Sequence, residues 1–461
     1  MPWRIGQRAS RCGNVCNAAA YIMLRARCVR PKTANLNPIL ATWPLLLGMG
    51  ILMLGAGLQS TLLGVRATIE AFPTTVTGLI MSCYYVGYLA GTRLAPQLLQ
   101  RVGPVRVFAT LAALASVAVL VHGSWVHPGP WALMRLLSGV CFAGIYVVAE
   151  SWLNHRASST NRGQLLATYM LVLYVGLGSA QFLLLVSSPQ SAEPFMLVSA
   201  LISAAMVPIV ASAQEVAGPV MPQRVRFRDL YRNSPLGVVA VAISGMISSI
   251  IFSMGPVYAR LSGLGTGGVA EFMAVSIFAA VLTQYPVGRL SDRMDRRTVI
   301  ASVCLLATCV AAAIELFSPL PRLLFLLLAA LFSGTALTLY SLSVSHVNDK
   351  LDPSQMVAAS SALLLINGTA AALGPVMAGG LMAAFGPRAH FGVLGALTGA
   401  LTLFDLWRKL RRGPVPQSQK GPFINTRELV TPGRLEPAPL AAGEQPAAPA
   451  GTAVRSGEVA G

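Results

Sequence analysis

The sequence predicts an all-α integral membrane protein whose twelve transmembrane helices form two pseudo-symmetric six-helix halves. Apolar residues make up 54% of the 461 residues and charged residues only 11%, a balance that soluble domains of this length do not have. Apolar runs of about 20 residues, the length that crosses a hydrocarbon core as a helix, recur along the chain. The later runs repeat features of the earlier ones, which indicates an internal duplication.

Twelve runs are long enough to be spans, and each is expected to be helical because a helix hydrogen-bonds its own backbone in lipid. In chain order they lie near residues 41–64, 74–99, 104–123, 130–153, 165–186, 195–213, 236–257, 270–290, 298–317, 322–346, 356–384 and 391–407.

The remaining segments divide the chain into halves, a linker and two arms. The halves, 38–213 and 235–410, are joined by a basic linker with prolines at 214–234. Segment 1–37 has seven Lys and Arg residues and no acid, and its apolar run is too short for a signal peptide. We expect a disordered cytoplasmic arm or a stretch upstream of the true start, with an organellar presequence as the remaining alternative. Segment 411–461 is rich in Pro, Ala and Gly and is expected to be disordered.

The distribution of positive charge predicts the orientation. Of the 34 Lys and Arg residues, 29 lie in the two terminal segments and the even-numbered connections between spans. This bias predicts cytoplasmic termini and a multi-pass protein of the bacterial inner membrane. The net charge of +18 then faces the cytoplasm, where anionic lipid balances it. The charge therefore indicates a lipid bilayer and no nucleic-acid partner, and we expect a monomer.

Spans four and ten carry the clearest trace of duplication, in the sequences LLSGVCFAGIYVVAESWLN and LFSGTALTLYSLSVSHVND. Gly139 matches Gly334 at a separation of 195 residues, and the following matches differ from that offset by one residue. The other matched pairs are Ser138 with Ser333, Tyr146 with Tyr340, Ser151 with Ser345, and Asn154 with Asn348. Duplicated six-helix halves are typical of secondary transporters.

A dense group of charges lies between spans eight and nine, in the segment YPVGRLSDRMDRRTVI. A simple positive-inside anchor would explain its charge, but the order GRLSDRMDRR resembles the G-x-L-x-D-R-x-G-R-R signature of the major facilitator superfamily. Asp295 replaces the glycine of that signature, which predicts a less sharply turned loop. The matching residues are Gly288, Leu290, Asp292, Arg293, Arg296 and Arg297.

That resemblance implies a cytoplasmic latch, in which the loop aspartate faces the positive end of a helix in the other half. The connection between spans two and three, GTRLAPQLLQRVGPVR, contains Gly91 and Arg101 but no acid. The expected latch is therefore asymmetric and depends on Asp292.

Span four contains RLLSG, from Arg135 to Gly139, which resembles the R-x-x-x-G pattern of the same superfamily. An arginine inside a span costs several kcal/mol unless it is paired or faces water. Two interpretations remain open. Arg135 could extend to the membrane interface, or it could act in cavity gating or proton coupling.

Three further ionisable residues are candidates for coupling or gating. Glu150 follows Arg135 by fifteen residues, about 22 Å along a helix, and could be a protonatable switch or a structural partner of Arg162 or Arg93. His346 of span ten could carry protons, since histidine titrates near neutral pH, or could simply be hydrogen-bonded.

Polar and aromatic residues near the middle of several spans are candidates for the substrate cavity, although each alone could serve helix packing. They carry no fixed charge, which predicts a neutral or amphipathic solute. The candidates are Tyr84, Tyr85, Tyr88, Tyr174, Gln181, Ser248, Gln284, Tyr340 and Asn367.

The function that the resemblance implies is secondary active transport of a small molecule, with coupling to protons. The sequence contains no P-loop, Gly-rich dinucleotide turn or metal-binding cluster that would indicate a cofactor. AESWLNHR, NRGQLLATYM and YSLSVSHVND also resemble the uncharacterised bacterial YcaD-like branch of the superfamily. The alternative is a nutrient sensor on a transporter scaffold, although the linker is short. An intramembrane enzyme is disfavoured because Ser345 and His346 point about 100° apart on a helix.

Overall fold

The computed structural model describes residues 42–156, 162–212, 227–351 and 353–409. The predicted arms at 1–37 and 411–461 and most of the linker lie outside these residues. The regular secondary structure of the described segments is helical, and twelve spans run through them. We call the side at which span one begins and span twelve ends the terminal face, and the other side the opposite face.

The first half contains spans one to six. Five of them are long and apolar enough to cross a membrane, whereas span two has that length but is more polar. The helices are span one (Trp43–Ile69), span two (Thr74–Val102), span three (Pro104–Ser124), span four (Pro128–Arg156), span five (Arg162–Ser179, continued by a 3-10 helix, Ala180–Leu185) and span six (Glu193–Ala211).

The second half follows a short linker helix, Phe227–Asn233. All six of its spans are long and apolar enough to cross a membrane. They are span seven (Pro235–Leu261), span eight (Thr266–Arg293), span nine (Arg296–Phe317), span ten (Arg322–Ala336 and Leu339–Asn348), span eleven (Pro353–Phe385) and span twelve (Ala389–Lys409).

Both halves pack their helices in the same pattern. Span two packs on span four and span three on spans four and six, while span eight packs on span ten and span nine on spans ten and twelve. Between the halves, span two contacts span eleven, and span eight contacts span five in the equivalent way. The fold therefore has the two pseudo-symmetric six-helix halves that the sequence predicts.

Several contacts between the two halves lie nearer the opposite face than the terminal face. Gly78 of span two lies against the backbone of Pro375 in span eleven. The hydroxyl of Ser60 donates to the carbonyl oxygen of Phe252 at 3.0 Å, and the Tyr85 and Ser253 hydroxyls are 3.2 Å apart.

Helix ends differ from the predicted boundaries around the connection between spans two and three. The predicted loop GTRLAPQLLQRVGPVR is mostly helix, since span two continues to Val102 and span three begins at Pro104. Gly103 alone makes the turn, with a φ of 89° that residues with a side chain rarely adopt.

Two spans are interrupted beside the centre of the fold. Span five narrows to a 3-10 helix at Ala180, and span ten breaks at Leu337 and Thr338. The hydroxyl of Thr338 donates to the carbonyl oxygen of Thr335 at 2.7 Å, satisfying a backbone acceptor at the break. Irregular backbone inside a membrane protein is tolerated where it borders a cavity or is buried in protein.

Candidate functional site

A cavity of about 80 Å³ lies between the two halves. Four spans of the first half (one, two, four and five) and three of the second half (seven, eight and ten) contribute to its wall. Gln181 of the 3-10 helix and Leu337 of the broken span both line it. At about 30 Å³ for each molecule of liquid water, the space corresponds to roughly three water molecules, so in this conformation it accommodates only a small group.

The cavity wall combines aromatic rings with a few polar groups. Its aromatic residues are Tyr84, Tyr85, Phe142, Tyr146, Tyr174 and Phe252, and its polar residues are Gln59, Ser60, Thr61, Gln181, Ser248 and Arg135.

Arg135 is the one charged side chain among the residues that line this cavity. It is 4% exposed, so it does not extend to the membrane interface. Its guanidinium carbon lies 4.6 Å from the centre of the Tyr84 ring, a cation–π contact. No Asp or Glu oxygen among the described residues lies within 4.0 Å of it.

The contact between Arg135 and Tyr84 depends on close packing of span four on span two. Gly139, one helical turn beyond Arg135 on the same face, lies directly against the backbone carbonyl of Tyr84. A side chain at position 139 would push the helices apart. The glycine of the R-x-x-x-G pattern thus brings the ring of Tyr84 to the guanidinium.

Span one contributes a polar stretch, Gln59 to Thr61, that the sequence-based cavity prediction missed. The hydroxyl of Thr61 donates to Oε1 of Gln181 at 2.6 Å, and Nε2 of Gln181 donates to the carbonyl oxygen of Leu177 at 3.0 Å. Gln59 is 2% exposed, and its Nε2 atom has no hydrogen-bond partner among the described residues. Three consecutive polar residues in an otherwise apolar span were the available signal.

Five of the nine predicted cavity residues line this cavity, namely Tyr84, Tyr85, Tyr174, Gln181 and Ser248. The other four are not in its wall. Tyr88 lies behind it, with its ring 6.3 Å from that of Tyr146.

The remaining three residues pack helices within the second half. Nε2 of Gln284 donates to the Ser341 hydroxyl at 3.2 Å, and Nδ2 of Asn367 donates to the carbonyl oxygen of Val241 at 3.1 Å. Tyr340 belongs to a buried cluster with residues of spans seven and eleven.

The charged group between spans eight and nine forms a partly buried ion-pair cluster. Arg296 is almost wholly buried, and its side chain lies 2.9 Å from Oδ1 of Asp349 and 3.4 Å from Oδ1 of Asp292. Asp349 ends span ten, so these contacts join helices of one half. Asp292 at the end of span eight and Arg296 at the start of span nine belong to the same half, so the predicted latch across the halves stays a prediction. Asp349 was missed by the sequence analysis.

The other predicted latch residues are spread over both halves. Gly288 is buried in span eight and Arg297 is buried at the start of span nine, whereas Arg293 is exposed. Gly91 lies inside span two, packed against Val140 and Ala143 of span four, and Arg101 is exposed near the end of that span.

Comparison with known proteins identifies the family. The model of the Major Facilitator Superfamily matches residues 45–281 and 266–456. The chain belongs to the major facilitator superfamily.

Its curated relatives include two bacterial superfamily proteins. An uncharacterised MFS-type transporter of Enterobacter sp. (strain 638) is 30% identical over 381 residues, covering 81% of this chain and 96% of the relative. The uncharacterised MFS-type transporter YcaD of Escherichia fergusonii is 30% identical over 346 residues, covering 73% of this chain and 88% of the relative. The resemblance to the YcaD-like branch is thereby confirmed, and these proteins are transporters rather than enzymes.

The fold is that of solved superfamily members. The crystal structure of the nucleoside transporter NupG superposes with a TM-score of 0.67 at 13% sequence identity, covering 81% of this chain and 99% of NupG. At this identity the likeness concerns the fold alone.

Of the coupling candidates of this major facilitator protein, Arg135 lines the cavity, whereas Glu150 and His346 are not in its wall. Glu150 is 5% exposed near the terminal end of span four, and His346 is 2% exposed near the terminal end of span ten. Arg162 is the first residue of span five, and its side chain is not among the side chains that the structure describes. The predicted pairing of Glu150 with Arg162 therefore stays a prediction.

Proposed function

We propose that this chain is a secondary active transporter that moves a small amphipathic solute by alternating access, coupled to protons. The observation that carries the proposal is the cavity between the halves. Seven spans from both halves line it, so a rocking motion of one half against the other would expose it to each side in turn.

The interrupted helices support a binding role for this cavity. Span five and span ten both lose regular helical geometry where they border it. Discontinuous helices at the interface of repeats commonly form substrate sites in transporters. The aromatic rings would cover the apolar part of a solute, and the polar residues would fix its orientation.

Proton coupling is supported by Glu150. A carboxyl group that is 5% exposed inside a span is a candidate for a functional role, because burying its charge is costly. The terminal face is the cytoplasmic side in this proposal, since most Lys and Arg residues lie there.

Reconstitution of the full chain in liposomes tests transport directly. A mixture of sugars, amino acids, nucleosides, organic acids, sulfonates and organic cations is added outside, with an acid gradient, and the internal content is measured by mass spectrometry. The proposal predicts that at least one solute accumulates above its level in protein-free liposomes. A solute that binds the purified protein but does not enter the liposomes would favour the alternative, a sensor on a transporter scaffold.

A further inference from the structure

We propose that the cavity recognises the carboxylate of a small amphipathic monoanion, with Arg135 as its counter-ion and Gln59 as a second hydrogen-bond donor. The inference rests on the proposed function, since it names the solute class for the same cavity. It replaces the expectation of a neutral solute with a charged one.

The cavity has an uncompensated positive charge. Arg135 is buried, and none of the other residues in the cavity wall is charged. The cation–π contact with Tyr84 recovers only part of the cost of burying a guanidinium. A bound anion would supply the remainder.

The internal duplication indicates that the charge of Arg135 is not required for helix packing. Position 330 of span ten corresponds to Arg135 of span four by the offset of 195 residues that relates Gly334 to Gly139, and it is an alanine. A helix at this place in the fold therefore does not need an arginine for packing. The charge belongs to one half only and points to a function in that half.

Two buried hydrogen-bond donors of the cavity wall also point to a ligand. Nε of Arg135 and Nε2 of Gln59 are buried without a hydrogen-bond partner among the described residues, and both residues line the cavity. Buried donors are nearly always satisfied. A carboxylate offers two acceptor oxygens, and a guanidinium binds such a group through parallel hydrogen bonds.

The rest of the wall restricts the size and charge of the ligand. One positive charge balances a single negative charge, so a monoanion fits better than a dianion. Rings such as Tyr85, Tyr174 and Phe252 suit an apolar body attached to the carboxylate. Organic cations would be repelled by Arg135.

Matched pairs of ligands test the proposal on the purified full-length protein. Benzoate, phenylacetate and hexanoate are compared with benzamide, phenylacetamide and hexanamide, with benzylamine as the cation, in thermal unfolding experiments. Binding to the folded state stabilises it by RT ln(1 + [L]/Kd), so at equal concentration the tighter ligand gives the larger rise in unfolding temperature. We expect carboxylates to bind roughly tenfold or more tightly than the amides, because hydrogen bonds to a charged group are the stronger ones.

Variants assign that preference to the two residues. Arg135→Met is expected to remove the carboxylate preference, Arg135→Lys to keep it at lower affinity, and Gln59→Leu to weaken carboxylate binding. If Arg135→Met fails to fold, Arg135→Lys and Gln59→Leu still decide the matter.

Three results would overturn the proposal. The first is amides or benzylamine binding the wild type as tightly as the carboxylates. The second is an unchanged preference in Arg135→Met, or an unchanged carboxylate affinity in both Arg135→Lys and Gln59→Leu. The third is no shift with any carboxylate up to about 10 mM. Transport of an uncharged solute in the liposome assay, combined with any of these, would leave the proposed function intact and remove only the anion site.

Discussion

The guanidinium carbon of Arg135 lies 4.6 Å from the centre of the Tyr84 ring, inside a cavity shared by the two halves of the fold. A tyrosine ring offers an arginine a partial negative face but no full charge. The Tyr84 ring therefore offsets only part of the cost of burying the Arg135 charge.

Replacing Arg135 by methionine should stabilise the ligand-free protein. Methionine fills similar space without a buried charge, so the free energy of unfolding should rise by about 1–3 kcal/mol. Thermal unfolding of the purified protein in detergent measures the change. Arg106→Met is the control, since Arg106 is exposed and its loss should have little effect. A lower unfolding temperature for Arg135→Met would mean that the arginine has a structural partner.

Replacing Gly139 by alanine should destabilise the packing of span four on span two. Its new methyl group would meet the backbone of Tyr84 and Tyr88, and such overpacking costs about 1–3 kcal/mol. Gly392→Ala in span twelve is the matched control, because nothing lies near its Cβ position. That control should be neutral or stabilising, since alanine is the better helix former. Equal unfolding temperatures for both variants would argue against the close contact.

The two aspartates around Arg296 should differ in their contribution to stability. Asp349→Asn leaves a buried guanidinium without its closer partner, which typically costs about 3–5 kcal/mol. Asp292→Asn removes a partner that is 44% exposed and 3.4 Å away, a contribution of at most about 1 kcal/mol. Chemical denaturation of the two variants measures the difference. A larger loss in Asp292→Asn would reverse this ranking and support a latch role for Asp292.

Replacing Glu150 by glutamine should uncouple transport from protons. The variant cannot bind or release a proton at this position, so an acid gradient should no longer drive accumulation in liposomes, while solute exchange continues. Glu193→Gln is the control, because Glu193 is exposed at the start of span six. Full gradient-driven accumulation in Glu150→Gln would exclude Glu150 as the coupling residue.

The sequence was sufficient for the fold because the length and composition of a span are local properties. Each predicted run coincides with a helix, and boundary errors arise where polar helix ends continue past the apolar run, as at Val102. The R-x-x-x-G pattern likewise singles out Arg135 from local sequence alone.

The direction in which an individual side chain points, toward the cavity or toward a neighbouring helix, was not predictable in the same way. Asn367 and Ser248 are both polar residues in apolar spans, yet Ser248 lines the cavity and Asn367 bonds to span seven. In a span with apolar residues on every side, periodicity does not distinguish the cavity from a neighbouring helix. Asp349 was missed because its partner Arg296 lies 53 residues away in the chain and only tertiary packing joins them.

Distances between spin labels in lipid nanodiscs test whether the two halves open the cavity to each side of the membrane in turn. One pair, at Gln100 and Arg289, joins the halves at the terminal face, and another, at Thr75 and Ser262, joins them at the opposite face; all four residues are exposed. Between about pH 8 and about pH 5, with and without benzoate, we expect one distance to lengthen as the other shortens. Distances that stay the same at both faces under all conditions would contradict it.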